Sequence, residues 1–430
     1  MTFDLAVEAM ARNVPKTWRV EPFRRHAVLV DETNSKRSLP LLSLASTGII
    51  APRKEEGGMG KQAPSESTIE RYWIARPGNL VVNPMWLIGG GIGVSTVSGA
   101  VSPDYRVYRL GPDLHPQYVH HLLRSAPYRD QYRLYTRADT TFDRRVSKEN
   151  FHPMPLLVPP LDEQRRIAEF LDAEIARIDA LTSLKVRQQY VLEERFETEL
   201  VHTLLPSATP PGWQSTRLKY LFDDVRNGVW GEEPTGDGSD VHCVRVADFE
   251  RFSLRSASDA PTLRQVPASM LRGRILNPGD VLLEKSGGGE KSPVGFAVTF
   301  NSTQRSICSN FVAVMRPAST TSPRYAGLLM AAMYKAGRNT PFVKQTTGIQ
   351  NLDGEGYLAQ QVSVPGHLQQ EELSRRLDHN LDESNRIRGH LRSQTRLLQE
   401  RRQALITAAV TGQFDVTTAS GRNVTDGVTA

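Results

Sequence analysis

The sequence predicts an α+β protein with a pseudo-twofold internal repeat: two β-rich domains, each followed by one of two long helices that pair as a coiled-coil-like spacer. Three observations predict it. A displacement of 206 residues superposes two charged segments without a gap. Each of those segments has helical periodicity over some forty positions. A similar series of short strands and turns precedes each one.

The displacement carries Val158-Pro159 to Val364-Pro365, Gln164 to Gln370, Leu171-Asp172 to Leu377-Asp378, Gln188 to Gln394, Leu192 to Leu398 and Glu194-Arg195 to Glu400-Arg401. In the first copy Ile167, Leu171, Ile175, Ile178, Leu181 and Leu184 recur at steps of three and four, the mark of an apolar stripe. In the second, Leu373, Leu377, Leu381, Ile387, Leu391 and Leu398 do so less regularly. Asp162-Glu163 and Glu371-Glu372 sit in the first turns, where acidic groups suit the positive end of the helix dipole. Pro206 and Gly412 supply the stops. Forty helical residues extend roughly 60 Å, longer than a domain core requires. A helix with one apolar stripe and no domain of its own must bury that stripe, and the best-matched partner in the chain is the other copy. Ile167, Leu171, Ile178, Leu377, Leu381 and Leu398 are therefore expected on the spacer or at partner-binding positions. The competing expectation is that each helix packs only on its own domain.

The segments ahead of the helices correspond more loosely. Ile74–Asn83 (IARPGNLVVN) matches Ile275–Glu284 (ILNPGDVLLE), each a Pro-Gly turn entering an apolar strand. Glycine-rich stretches follow at Gly89–Gly93 and Gly287–Gly289. Next come the strands YRVYRL and FVAVMRP, and then helices opened by proline, PQYVHHLL and PRYAGLLMAAMY. Ser207–Gly212 (SATPPG) reads as the linker. The expected divisions are 1–158, 159–206, 207–364, 365–415 and a flexible tail, 416–430.

At 430 residues the chain is long enough for more than one core. No apolar run of about 18 residues is present to span a bilayer, and the N-terminus lacks a basic region followed by an apolar core, so a cytoplasmic protein is expected. Cys243 and Cys308 make neither a disulfide framework nor a zinc cluster, the ten histidines are scattered, and no structural metal is expected. The adjacent His120 and His121 point to different helix faces. The net charge of +6 favours a polyanionic partner. The helical segments 161–205 and 367–411 together carry −2, which leaves +8 on the rest of the chain, mostly the regions ahead of the helices.

Four fragments approach catalytic motifs without completing them. Ser286–Ser292 (SGGGEKS) resembles a phosphate loop, but Glu290 stands where glycine must precede Lys-Ser. Gly89–Gly93 (GGGIG) lacks the third glycine of a dinucleotide turn and reads as a tight turn in a β-rich domain. Asn83–Trp86 (NPMW) lacks the second proline of the loop with which amino-methyltransferases hold a flipped base. Asp280, Glu284 and Lys285 suggest a nuclease carboxylate set, but Glu and Lys are adjacent and diverge on a strand, and the first half has Asn79 and Asn83 in place of the acids. No Ser/His/Asp or Cys/His arrangement is legible, so no catalytic residue is expected.

With these duplications, and with Pro160–Asp179 (PLDEQRRIAEFLDAEIARID), Arg401–Gln413 (RRQALITAAVTGQ) and the GGIGVS…SPDY stretch, the chain resembles the specificity (S) subunit of type I restriction-modification systems over nearly its whole length. The start of the second helix departs from the pattern, with Gly366–Leu377 (GHLQQEELSRRL) in place of P-L-D-E-Q. The resemblance implies that each variable half is a target recognition domain reading one half of a split, asymmetric sequence in double-stranded DNA. It implies an antiparallel helix pair that acts as a rigid spacer and docks two modification (methyltransferase) subunits, with restriction (translocase/nuclease) subunits joining the core. It further implies no cofactor on this chain, S-adenosylmethionine, ATP and Mg being held by the partners.

On that reading the DNA-binding candidates are Lys61, Arg71, Arg137, Arg144 and Arg145 in the first domain and Lys285, Lys291, Lys344, Gln350 and Asn351 in the second. They are basic or amide residues expected on loops at matching places in the two halves. The alternatives are a stand-alone DNA methyltransferase or endonuclease, suggested by NPMW and the acidic trio, and a coiled-coil adaptor that binds only protein.

Overall fold

The computed structural model describes Val7 and residues 14–53, 65–136, 145–236, 238–257, 262–289, 292–345 and 348–416. The expected flexible tail, 416–430, lies outside these residues apart from Val416. The chain divides into two compact units, 1–184 with 394–430, and 185–393. The five sequence segments are thus gathered into two bodies, and each body takes part of both long helices.

In the first unit a four-stranded antiparallel sheet runs in the order Ala27–Leu29, Arg106–Leu110, Leu80–Val82, Ile92–Val94. In the second unit the order Phe222–Asn227, Val312–Pro317, Val281–Glu284, Ala297–Thr299 repeats that arrangement and continues to Arg255–Ser256 and Phe249–Glu250. The central strand of each sheet enters from the predicted Pro-Gly turn. Gly78 and Gly279 take φ of +85° and +97°, as the second corner of such a turn demands. The turns close alike: Asn79 Oδ1 accepts from the Arg76 amide at 2.9 Å, and Asp280 Oδ2 accepts from the Asn277 amide at 2.8 Å.

The sheets are covered by the proline-opened helices, Pro116–Arg124 and Pro323–Lys335, whose Tyr118 and Tyr325 are completely buried. His120 and His121 face different neighbours, as their adjacency on a helix requires. His121 Nε2 lies 2.7 Å from Asp172 on the first long helix, and the Val94 amide donates to His120 Nδ1 at 3.4 Å. Burial, and then the positive charges of His121 and Arg124, push the His120 imidazole down from 6.5 to about 3. Folding therefore favours its neutral form. That contribution to stability is fully present above pH 6.5 and is lost as pH falls toward 3. Urea unfolding of the wild type and of His120→Gln should diverge between about pH 7 and about pH 5, with the steeper loss in the wild type.

Two 44-residue helices, Leu161–Leu204 and His367–Val410, fill the predicted positions. In the first unit Ile167, Leu171 and Ile175 share a core with Leu405, Ile406, Ala409 and Val410, and Arg402 Nε lies 3.4 Å from Asp179. In the second, Phe196, Leu200 and Leu204 share a core with Leu377 and Leu381. There Arg376 meets Thr203 at 3.5 Å, Asn380 meets Glu199 at 2.7 Å and Arg388 meets Glu193 at 3.8 Å. One number rises as the other falls, so the helices pair antiparallel. Pairing and packing on a domain occur together rather than as alternatives.

Ile167, Leu171, Ile178, Leu377 and Leu381 are buried, and Leu398 is half-buried. The apolar stripe also stops earlier than its periodicity implies: Ile178 is buried, while Leu181 and Leu184 are exposed. The second helix is rich in arginine from Arg386 to Arg402 and offers few apolar side chains to cover them.

The repeat extends to individual hydrogen bonds. Gln164 and Gln370 each donate from Nε2 to a proline carbonyl five residues back, Pro159 and Pro365, both at 2.9 Å. Each Oε1 accepts at 2.8 Å from the amide that precedes the proline-opened helix, His115 in one unit and Ser322 in the other. The long helix is thereby fixed to its domain by the same side chain twice. Asp172 and Asp378 repeat a second tie with different partners, His121 in the first unit and Arg324 with Arg255 in the second. Gly412, at φ +71°, closes the first unit against Pro15 and Trp18, where an added Cβ would lie 2.3 Å from Pro15 Cδ.

Candidate nucleic-acid interface

In the second unit Lys285, Lys344, Gln350 and Asn351 lie on or beside one small sheet. Ser286–Gly287, Gln350–Leu352 and Val343–Gln345 form a three-stranded antiparallel sheet whose register sets Lys344 opposite Asn351 and Asn351 opposite Ser286. Lys285 immediately precedes it and is half-buried. The expectation that these residues lie on loops is corrected for Lys344, Gln350 and Asn351, which are strand residues because the glycine-rich stretch folds into a pairing edge. Lys344 Nζ is held 2.8 Å from Asp353 Oδ2, and Asn351 Oδ1 accepts from Ser286 Oγ at 2.6 Å. Gln350 is buried, and its Oε1 accepts from the Val294 amide at 3.3 Å, so it supports the sheet rather than facing out.

In the first unit Arg71 is exposed after the short helix Glu66–Ile69 and has no ion pair among the described residues. Arg145 donates from Nε to Met85 Sδ at 3.4 Å and lies 3.8 Å from Asp104. It thus borders the Asn83–Trp86 loop, on which Trp86 is 62% exposed. Lys61, Arg137, Arg144 and Lys291 fall outside the described residues.

The near-motifs resolve into structure. Gly90, at φ +89°, passes so close to the Ser46 carbonyl that a Cβ would lie 2.3 Å from its oxygen. Arg124 pins this tight turn by donating to the Gly90 and Ile92 carbonyls at 2.6 and 2.8 Å. Gly287 and Gly288, both at positive φ, turn the chain toward a bridge between Gly289 and Ser292. Asp280 is committed to Arg316, whose Nε and Nη2 donate to it at 3.1 and 3.0 Å, and so is separated in role from Glu284.

Sequence reasoning missed a cleft of about 480 Å³ beside this sheet, lined by Trp230, Arg245, Glu284, Ser309, Asn310 and Phe311 among others. The signal available was weak, since Trp230 and Phe311 sit in short glycine- and serine-bearing segments without periodicity.

No family model matches the chain. It is 28% identical over 143 residues to the type I restriction enzyme StySPI specificity subunit of Salmonella potsdam, a match covering 31% of this chain and 30% of that protein. A solved chain described under complex assembly and conformational transition of the type I R-M system aligns with 93% of this chain and 99% of its own length, at 20% identity and a TM-score of 0.72. The HsdS subunit of Thermoanaerobacter tengcongensis aligns with 93% of this chain and 98% of its own length, at 20% identity and a TM-score of 0.54. The fold is the one found in these two solved chains. The likeness covers both the doubled sheets and the two long helices, while the sequence match spans less than a third of the curated relative. Among the described residues no helix is long and apolar enough to cross a membrane.

Proposed function

We propose that this chain is the DNA-recognition subunit of a type I restriction-modification complex, working in the cytoplasm and doing no chemistry itself. Each unit reads one half of a bipartite, asymmetric target in duplex DNA, and the chain docks two modification subunits that supply S-adenosylmethionine-dependent methylation. Restriction subunits, with ATP and Mg, join that assembly.

The observation that carries this reading is the repetition of a shared framework beside unlike surfaces. The sheet order and the glutamine ties recur, whereas Asn83 in one unit corresponds to Glu284 in the other. Two equivalent frames suit two copies of one partner, and different surfaces suit different half-sites. Exposed apolar side chains on the long helices suit docking: Leu184 and Leu397 in the first unit, Val186, Tyr190 and Val191 in the second.

Coexpression with a methyltransferase chain is expected to yield one copy of this chain with two of that partner, and the complex should bind duplex DNA with a steep salt dependence. Tyr190→Arg with Val191→Arg should reduce partner recovery without unfolding the chain. A chain that stays alone beside such a partner and ignores DNA would refute the proposal.

A further inference from the structure

The cleft in the second unit contains a buried carboxyl group that the fold satisfies only in part. Glu284 ends the central strand and is only 2% exposed, yet among the described residues its Oε2 accepts no hydrogen bond. It is left with a long ion pair to Arg251, whose Nη2 lies 3.7 Å from Oε2 and whose guanidinium rests over the Phe296 ring at 4.4 Å. Burial pushes the carboxyl up to about 7, with Arg251 opposing that shift. The equivalent residue in the first unit behaves differently, because Asn83 Oδ1 accepts from the Met85 amide at 3.1 Å and is satisfied by its own loop.

The walls around Glu284 are aromatic and open. Trp230 and Phe311 are 36% and 44% exposed, and both line the cleft. Gly287, at φ +119°, bears no side chain where a Cβ would lie 3.6 Å from Glu284 Oε1, which leaves the carboxyl approachable from that side. Arg245 lies on the rim but is already engaged by Asp248 at 3.2 Å. A buried acceptor beneath exposed aromatic faces asks for a flat ring with an N–H donor at its edge. Among the base edges that duplex DNA presents in its major groove, the N–H donors are the exocyclic amino groups of adenine N6 and cytosine N4.

We infer that this cleft is the base-selecting site of the second unit, with Glu284 accepting a hydrogen bond from the amino group of an adenine or cytosine in the target. The inference rests on the DNA-recognition reading above and names the contact that would give the second half-site part of its sequence.

The test uses the full chain in complex with its modification subunits. Duplexes selected from a random pool define the wild-type target. Each adenine or cytosine in it is then replaced by nebularine or 2-pyrimidinone, which lack the amino group and separate the two sources. One position in one half-site is expected to lose at least tenfold in wild-type binding, while Glu284→Leu is already weakened there and loses nothing more. Glu284→Gln, which keeps an acceptor oxygen, should retain a reduced preference. Unchanged binding at the other half-site reports that the variant is folded, and if Glu284→Leu does not fold, Phe311→Leu should weaken selection at the same position. A Glu284→Leu complex that selects the wild-type sequence overturns this inference while leaving DNA recognition intact. A wild-type complex that selects no sequence overturns both.

Discussion

Alanine in place of Asp378 is expected to destabilise the second unit by about 3–5 kcal/mol, because it strands a buried cation. Arg324 donates to Asp378 through Nε and Nη2 at 2.6–3.1 Å, and only 13% of its side chain is exposed. Arg255 reaches the same carboxylate at 3.1 Å, so removal leaves two guanidinium groups without their shared anion. Burial already pulls the Arg324 pKa down, and the bond to Asp378 opposes that shift. The corresponding change in the first unit, Asp172→Ala, should cost no more than about 1 kcal/mol. Asp172 is 54% exposed, so solvent screens the pair that it makes with His121. Chemical denaturation of the two variants measures the contrast, and equal losses would contradict the role assigned to Arg324.

Leu171→Ala and Leu377→Ala are each expected to cost about 2–5 kcal/mol through the cavity left between a long helix and its domain. Both side chains are completely buried, and they occupy equivalent positions of the repeat. Leu184→Ala, on the same apolar stripe but 58% exposed, should stay within about 0.5 kcal/mol. Denaturation midpoints of the three variants separate buried stripe from exposed stripe. A large loss at Leu184 would place it in a core that the structure does not contain.

Much of the framework was legible because it repeats at constant spacing. Gln164 and Gln370, and Leu171 and Leu377, perform the same physical task twice at a shift of 206 residues, and the two Pro-Gly turns do so at a shift of 201. The extent of helix burial was less legible. Periodicity shows which face is apolar but not how far the opposing helix continues to cover it, and so Leu181 and Leu184 were read with Ile178. The interface was the least legible part. Residues such as Lys344 and Asn351 stand out by charge and polarity, but the sheet they belong to is completed by Ser286, more than fifty residues before Asn351. Trp230 and Glu284 come together only in three dimensions, and in the sequence Glu284 stands with Asp280 and Lys285 as an incomplete nuclease set.

The contact of Gly412 with Pro15 and Trp18 has a bearing on how such a chain can be made. It joins the close of the last long helix to residues some four hundred positions earlier, both within the first unit. On the ribosome the first body must wait for residues after Gln394, by which time the second is fully synthesised.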